Sequence, residues 1–332
     1  MKNRWKGTSV LVTGAGGFIG SHLTEELARQ GAHVRALTRY NSRSSRGFLE
    51  SLPAPLARRV DVRAGDICDG HFVSELIRGQ DVVFHLAALI AIPHSYEAPQ
   101  SFVSANVQGT LNVLEACRRR GVKKLVHTST SEVYGTARYT PMDEAHPLQG
   151  QSPYSASKIG ADHLAEAFYR SFGLPVAVVR PFNTYGPRQS ARAVLPSIVS
   201  QALSGQPEVS VGALKPVRDF NYVADIVSGF LAAGASPRSV GEVINLGSGR
   251  GISIGQAARL ILRLTGSKAR LVEDKRRLRP ANSEVLRLLC NNGRARKLLG
   301  WKPRIRLEDG LARMVAYIRS HASEYKTDVY NV

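Results

Sequence analysis

Cysteine is scarce. The chain of 332 residues has three, Cys68, Cys117 and Cys290, far apart and in no CxxC pair. That excludes a disulfide framework and leaves no zinc-ligand spacing, so no metal is expected. No apolar run approaches the roughly 20 residues that cross a bilayer. Met1-Lys2-Asn3-Arg4-Trp5-Lys6 leads directly into Ser9-Val10-Leu11-Val12, which gives no room for a secretory apolar region. The expectation is a cytoplasmic protein with no membrane partner. Repeats and low-complexity linkers are missing too. Acidic residues are few, 26 against 45 Lys and Arg, for a formal charge of +19. Residues 268–306 alone carry 13 basic and 3 acidic residues. Such a surplus suits an anionic partner or a solvated Arg-rich surface, and the reading adopted is the surface, with no nucleic acid bound.

What is present is a regular alternation. Short β-branched runs at 9–13, 33–38, 60–64, 82–86 and 124–129 alternate with amphipathic stretches at 21–29, 71–78 and 106–119. A further helix over 155–172 leads to a run at 175–180. Strand–helix–strand repeats imply right-handed crossovers and parallel pairing, and runs apolar throughout suit strands buried on both faces. The fold class is therefore α/β, a Rossmann-like doubly wound parallel sheet. Beyond residue 181 the strands shorten and Pro and Gly become frequent. The expected division is a dinucleotide-binding domain over 1–180 and a smaller C-terminal α/β substrate lobe over 181–332, with the chain crossing between them.

Thr13-Gly14-Ala15-Gly16-Gly17-Phe18-Ile19-Gly20 follows the first strand and opens a helix. Glycines at 14, 17 and 20 allow a tight turn, close approach of backbone to a pyrophosphate and close helix–strand packing, and the helix N-terminus supplies amide donors. Gly14, Gly17, Phe18, Ile19 and Gly20 are thus candidate cofactor contacts. The second strand ends Thr38-Arg39-Tyr40-Asn41-Ser42-Arg43, without the acid that would accept from the ribose of NAD. Arg39 and Arg43 can pair a 2′-phosphate instead, which favours NADP and does not exclude NAD. Asp66 and Ile67 suit the adenine edge, and Leu86, Ala87 and Ala88 the backbone beside the ribose and pyrophosphate.

Tyr154 and Lys158 stand four apart, on one face of a helix. An ammonium beside a phenol favours the phenolate, which can act as a base toward a sugar hydroxyl. The fifth strand ends His127-Thr128-Ser129-Thr130-Ser131-Glu132. Ligands of such sheets sit at the strands' C-terminal ends, so Thr130 and Glu132 should reach the crevice that holds Tyr154. Tyr154 and Lys158 are expected to contact the cofactor as well.

These residues, with Asn106-Val107-Gln108-Gly109-Thr110, Arg180-Pro181-Phe182-Asn183-Thr184-Tyr185-Gly186-Pro187-Arg188, Arg218-Asp219-Phe220-Asn221-Tyr222-Val223 and Leu298-Leu299-Gly300-Trp301-Lys302-Pro303, make nearly the whole chain resemble the extended short-chain dehydrogenase/reductases that act on nucleotide sugars. Thr130-Ser131-Glu132 resembles the 4,6-dehydratases and decarboxylases more than the 4-epimerases, which usually lack the acid. The stretches 89–96, 149–154 and 278–285 look closest to the 4,6-dehydratases of the legionaminic acid pathway, a group thought to act on GDP-N-acetylglucosamine. Two positions depart from the pattern. Ser131 stands where dTDP-glucose dehydratases carry Asp, and Asn291 where Asp is expected.

The resemblance implies a nucleotide-sugar 4,6-dehydratase with Tyr154, Lys158, Thr130 and Glu132 as its catalytic set. Tyr154 would accept the carbon-4 hydroxyl proton, and Glu132 the carbon-5 proton as water leaves carbon 6. It also implies substrate contacts at Asn183, Arg188, Arg218 and Arg279, and a homodimer built from helices at 103–119 and 155–172, with Phe168 at the contact. A decarboxylase or 4-epimerase on the same scaffold, and a non-catalytic dinucleotide-sensing protein, are the alternatives.

Overall fold

Residues 4–278 and 285–325 are described by the structure, a computed structural model of the chain. Seven parallel strands form its central sheet: β1 Ser9–Thr13, β2 His33–Arg39, β3 Val60–Gly65, β4 Val82–His85, β5 Lys124–Thr128, β6 Val176–Pro181 and β7 Val243–Leu246. Their order across the sheet is β3-β2-β1-β4-β5-β6-β7. The winding reverses between β1 and β4, which opens a crevice at the C-terminal ends of those two strands. β1, β4 and β6 are buried almost end to end. That explains why their sequences are continuous apolar runs with no alternation.

Apolar side chains fill both faces. On one, Leu11, Val83, Leu125 and Val176 meet Val113, Leu114 and Phe168 from the covering helices. On the other, Phe84, Val126 and Val179 pack with Phe230, Trp301 and Ile318, so sheet and C-terminal lobe share one core. β7 was not among the expected strands. It has only four residues, and the chain reaches it after a long excursion through the second lobe. The helix Val223–Ala235 returns with it to the sheet layer, and Trp301 Nε1 donates 3.0 Å to Asp225 O on that helix. Among the described residues no helix is long and apolar enough to cross a membrane.

Three helix details set up the site. The first helix starts at Phe18, three residues before the expected 21, because Gly17 itself is its N-cap. The helix Pro153–Phe172 starts before 155. Ser152 accepts from Ser155 N, Ser155 Oγ accepts from Ser152 N, and Pro153 fits the first turn. Gly173, at φ 64°, ends it. Before the helix Gly109–Arg120, residues Val103–Gln108 wind as a π-helix, a rare form that concentrates at functional sites.

Candidate active site

The glycine loop lies at the sheet's switch point. Gly14 has φ +69°, and a Cβ there would stand 2.8 Å from Ala87 N. A Cβ on Gly20 would collide with Gly14 O. The backbone of the loop after β2 crosses Gly16, with Phe48 N donating 3.0 Å to Gly16 O, so Gly16 and Gly47 must also lack side chains. Bare backbone and a helix N-terminus then face the cleft, a cradle suited to a pyrophosphate. Thr13 fixes the opposite wall. Its Oγ1 accepts from Leu86 N and Ala87 N, each at 3.1 Å, and contacts His85 Nδ1 at 2.8 Å.

The cleft holds two joined cavities. One of about 440 Å³ is lined by Gly14, Arg39, Asp66, Ile67, Ala87 and Ala88. Gly14, Arg39 and Ala88 also line the second, of about 670 Å³, which brings Gly17, Phe18, Ile19, Gly20 and Leu86 together with Thr130, Glu132, Tyr154, Lys158 and Asn183. Of the expected cofactor contacts only Arg43 lies outside. It is exposed on the loop after β2, and Arg46 lines the cleft in its place. The shape and chemistry fit a dinucleotide.

Tyr154 is in the first turn of its helix, buried against Ile92 and Phe102. Burial raises its phenol well above the ordinary value, the Thr130 hydroxyl bonded to it lowers it, and the nearby Glu132 carboxylate raises it further. The reading from spacing gave the lowering effect to Lys158. In the structure the Thr130 hydroxyl has that part, and the charge that acts on Lys158 is that of the buried Asp162. Thr130 also caps the turn Ser131–Tyr134, accepting from Glu132 N at 3.2 Å. One hydroxyl thus fixes both the phenol and the backbone that carries the carboxylate. Burial pulls the Lys158 ammonium down to about 8, and Asp162 is the charge that holds it up.

Asp162 sits one helical turn beyond Lys158 and is fully buried. Ser129 Oγ donates to its Oδ2 at 2.6 Å, and Arg180 donates from Nη2 at 2.9 Å and from Nε at 3.2 Å. Arg180 also donates 3.1 Å to the Tyr134 hydroxyl. His127 Nε2 lies 3.2 Å from Asp162 Oδ1, and burial lowers the His127 pKa. Despite burial, these partners hold the Asp162 carboxyl down at about 2. A depressed carboxyl stabilises the fold fully above its unfolded pKa, about 3.9; that contribution fades as pH falls through about 2. Asp162→Asn leaves Arg180 buried without its counter-charge, and should cost about 3–5 kcal/mol near pH 7. The gap from the wild type should narrow toward pH 2. Thermal unfolding of both proteins across pH checks this, and equal melting at neutral pH contradicts it.

Sequence reasoning passed over this cluster, although an acid eight residues after Tyr154 on a buried helix face was a signal. Asn106 was noted there only as part of the family pattern, with no role given to it. That residue sits in the π-helical turn, accepts 2.8 Å from Leu89 N, and donates to Leu89 O at 3.0 Å and Ser157 Oγ at 2.9 Å. It ties the wall at 86–89 to the Tyr154 helix.

The expected substrate contacts divide. Asn183 lines the cleft, and its Oδ1 is buried without a hydrogen-bond partner. Arg188 needs correction. It lines neither cavity of the cleft, and its Nη2 pairs with Glu25 Oε2 at 2.8 Å on the first helix. Arg218 is buried in the small sheet of the second lobe, donates 3.1 Å to Val217 O, and lines neither cavity of the cleft. Arg279 lies outside the described residues.

Comparison with known proteins agrees with this geometry. The family model described as GDP-mannose 4,6 dehydratase matches residues 11–314. A dTDP-glucose 4,6-dehydratase of Streptomyces griseus is 35% identical over 321 residues, covering 95% of each chain. The dTDP-glucose 4,6-dehydratase DesIV of Streptomyces venezuelae, solved with NAD bound, superposes with a TM-score of 0.83 at 30% identity, covering 96% of this chain and 98% of its own. A UDP-glucuronic acid 4-epimerase of Bacillus cereus, solved with UDP-glucuronic acid and NAD, superposes with a TM-score of 0.85 at 30% identity, covering 94% of this chain and 99% of its own. With the glycine cradle, the Tyr154–Lys158 helix and the joined cavities in place, the chain belongs to the extended short-chain dehydrogenase/reductase family, among the nucleotide-sugar dehydratases and epimerases.

Proposed function

We propose that the protein is a nucleotide-sugar 4,6-dehydratase. One observation carries the reading: the Glu132 carboxylate shares a cleft with Tyr154 and acts on the ionisation of its phenol. Oxidation of an alcohol needs the phenol and its donors; the extra carboxylate suits removal of a carbon-bound proton. A dinucleotide held by the glycine loop and Ala87–Ala88 would supply the two-electron acceptor and donor that the reaction needs. Tyr154, held by Thr130, takes the carbon-4 hydroxyl proton, and Lys158 supplies positive charge beneath it. The 4-ketone acidifies carbon 5, and Glu132 takes that proton. Because position 131 is Ser, Glu132 also returns a proton to the departing carbon-6 hydroxyl, which leaves as water; the proton that Tyr154 took from the carbon-4 hydroxyl then restores the hydrogen at carbon 5, and the site regains its starting protonation. Asn183, with its unpartnered Oδ1, holds the sugar nucleotide. Resemblance at 89–96 and 278–285 makes GDP-N-acetylglucosamine the first substrate to test.

Buried Ser131 favours a second reading, a 4-epimerase, which needs no leaving-group acid. Product mass separates the two, since only the dehydratase loses water.

The cofactor reading is NADP. β2 ends in Arg39 with no acid beside it, and Arg39 borders both cavities. Arg46, in place of Arg43, is the second cation on that wall. Arg39→Ala should weaken NADP about tenfold or more and NAD far less, because only NADP offers the added phosphate to a charge-assisted bond. Equal losses for both, measured by direct binding, contradict the preference.

The same reading makes the protein a cytoplasmic homodimer. Phe168 is unsuited to the contact foreseen for it, since it is buried in its own subunit's core. Val103 and Phe172 are each 55% exposed on the two helical segments concerned. Phe172→Glu should release monomers; a wild-type mass near 36 kDa in solution contradicts the dimer.

A further inference from the structure

The charge surplus has a focus that the catalytic cleft does not use. In the second lobe a cavity of about 760 Å³ lies between the helix Ile254–Thr265 and the segment 302–308, and it shares no lining residue with the cleft. Arg259 and Arg263 project into it from one face of that helix. Lys302, Arg304 and Arg306 enter from the facing segment, and Arg250 and Arg296 also line it. Phe220, Ile252, Leu260 and Ile305 add apolar surface to its lining.

What sets these cations apart is that seven of them line one cavity. Several exposed arginines elsewhere are matched to acids on their own or an adjoining element: Arg29 with Glu25 and Glu26, Arg78 with Glu75, Arg118 and Arg119 with Glu115, Arg170 with Glu166. In the cavity only Arg306 has such a partner, Glu308 at 3.2 Å; among the described residues the other six cations have no carboxylate within 4.0 Å. A flat solvated surface disperses like charges. Here several chain segments converge seven cations on one concavity, and among the described residues Glu308 is the one carboxylate on its lining. Its volume is in the range of small-molecule sites. Guanidinium groups on opposing walls are suited to bidentate contact with phosphate oxygens.

We propose that this cavity is a second anion site, which takes a small ligand bearing two or more phosphate groups. The shared chemistry is the oligophosphate, whether inorganic or part of a nucleotide. A nucleic acid duplex fits less well, because the cations gather in one cavity between a helix and the segment facing it instead of along a track on the surface. The site is independent of the dehydratase reading.

The test is calorimetric titration of the full-length protein, saturated with its dinucleotide cofactor, with inorganic tripolyphosphate at low salt. The wild type is compared with Arg259→Glu/Arg263→Glu, two exposed positions outside the catalytic cleft. One tripolyphosphate per chain should bind the wild type, and the double variant should bind about tenfold or more weakly with cofactor affinity unchanged. A parallel titration with a nucleoside triphosphate identifies the source. Equal affinity means the phosphates alone are read, and tighter binding that the same variant abolishes means that the nucleoside is read too. No wild-type binding, or equal binding by the variant, overturns the proposal. So does a short DNA duplex that displaces tripolyphosphate and binds more tightly than it.

Discussion

Tyr154→Phe should lower kcat by roughly 10²–10⁴-fold, the contribution of a positioned proton acceptor, with little change in KM. The ring keeps its place, because its contacts are apolar: it packs edge-on to Phe102 at 6.2 Å between centroids, and against Ile92. What is lost is the hydroxyl that Thr130 orients. The loss therefore falls on the transition state more than on substrate binding. Steady-state kinetics with a matched melting curve measures both. Turnover like the wild type's would remove Tyr154 from the chemistry.

Glu132→Gln should have a comparable effect on product formation, but at a later step. Oxidation at carbon 4 depends on Tyr154, Thr130 and Lys158, all intact in this variant. Elimination depends on the carboxylate. The expected result is substrate-dependent reduction of the bound nicotinamide, seen in its near-ultraviolet absorbance, without release of water. The fold should survive, because Glu132 is held through its backbone N to Thr130 and the turn is capped without its side chain. Normal yield of the 4-keto-6-deoxy sugar would show that another group takes the carbon-5 proton.

The sheet was legible because a strand buried on both faces carries an unbroken apolar stretch, as Val10–Val12 of β1, Val82–Phe84 of β4 and Leu125–Val126 of β5 do. The glycine loop was legible because its constraints are local: each glycine answers to backbone within the same turn or across one strand. Tyr154, Lys158, Thr130 and Glu132 were legible as short spacings at known places in a doubly wound sheet. Other features depended on contacts that no local pattern records. Asp162 gains its meaning from Ser129 and Arg180, which lie on other elements. Arg188 looked like a phosphate ligand until Glu25, far away in the chain, came within 2.8 Å of it. Phe168 lay on an apolar stripe that the sequence could not divide between its own sheet and a partner. β7 pairs with β6 across the whole insertion of the second lobe, and its four residues carry too short a pattern to stand out.

The most direct test of the central claim is the identity of the product. The purified protein is incubated with GDP-N-acetylglucosamine and with UDP-, dTDP- and CDP-sugars, some deuterated at carbon 4, and the products are read by mass spectrometry and NMR. A dehydratase yields a 4-keto-6-deoxy sugar lighter by one water, with the carbon-4 deuterium now on carbon 6 and no net consumption of cofactor. A product of unchanged mass with carbon 4 inverted, or one that has lost carbon dioxide, would contradict the account.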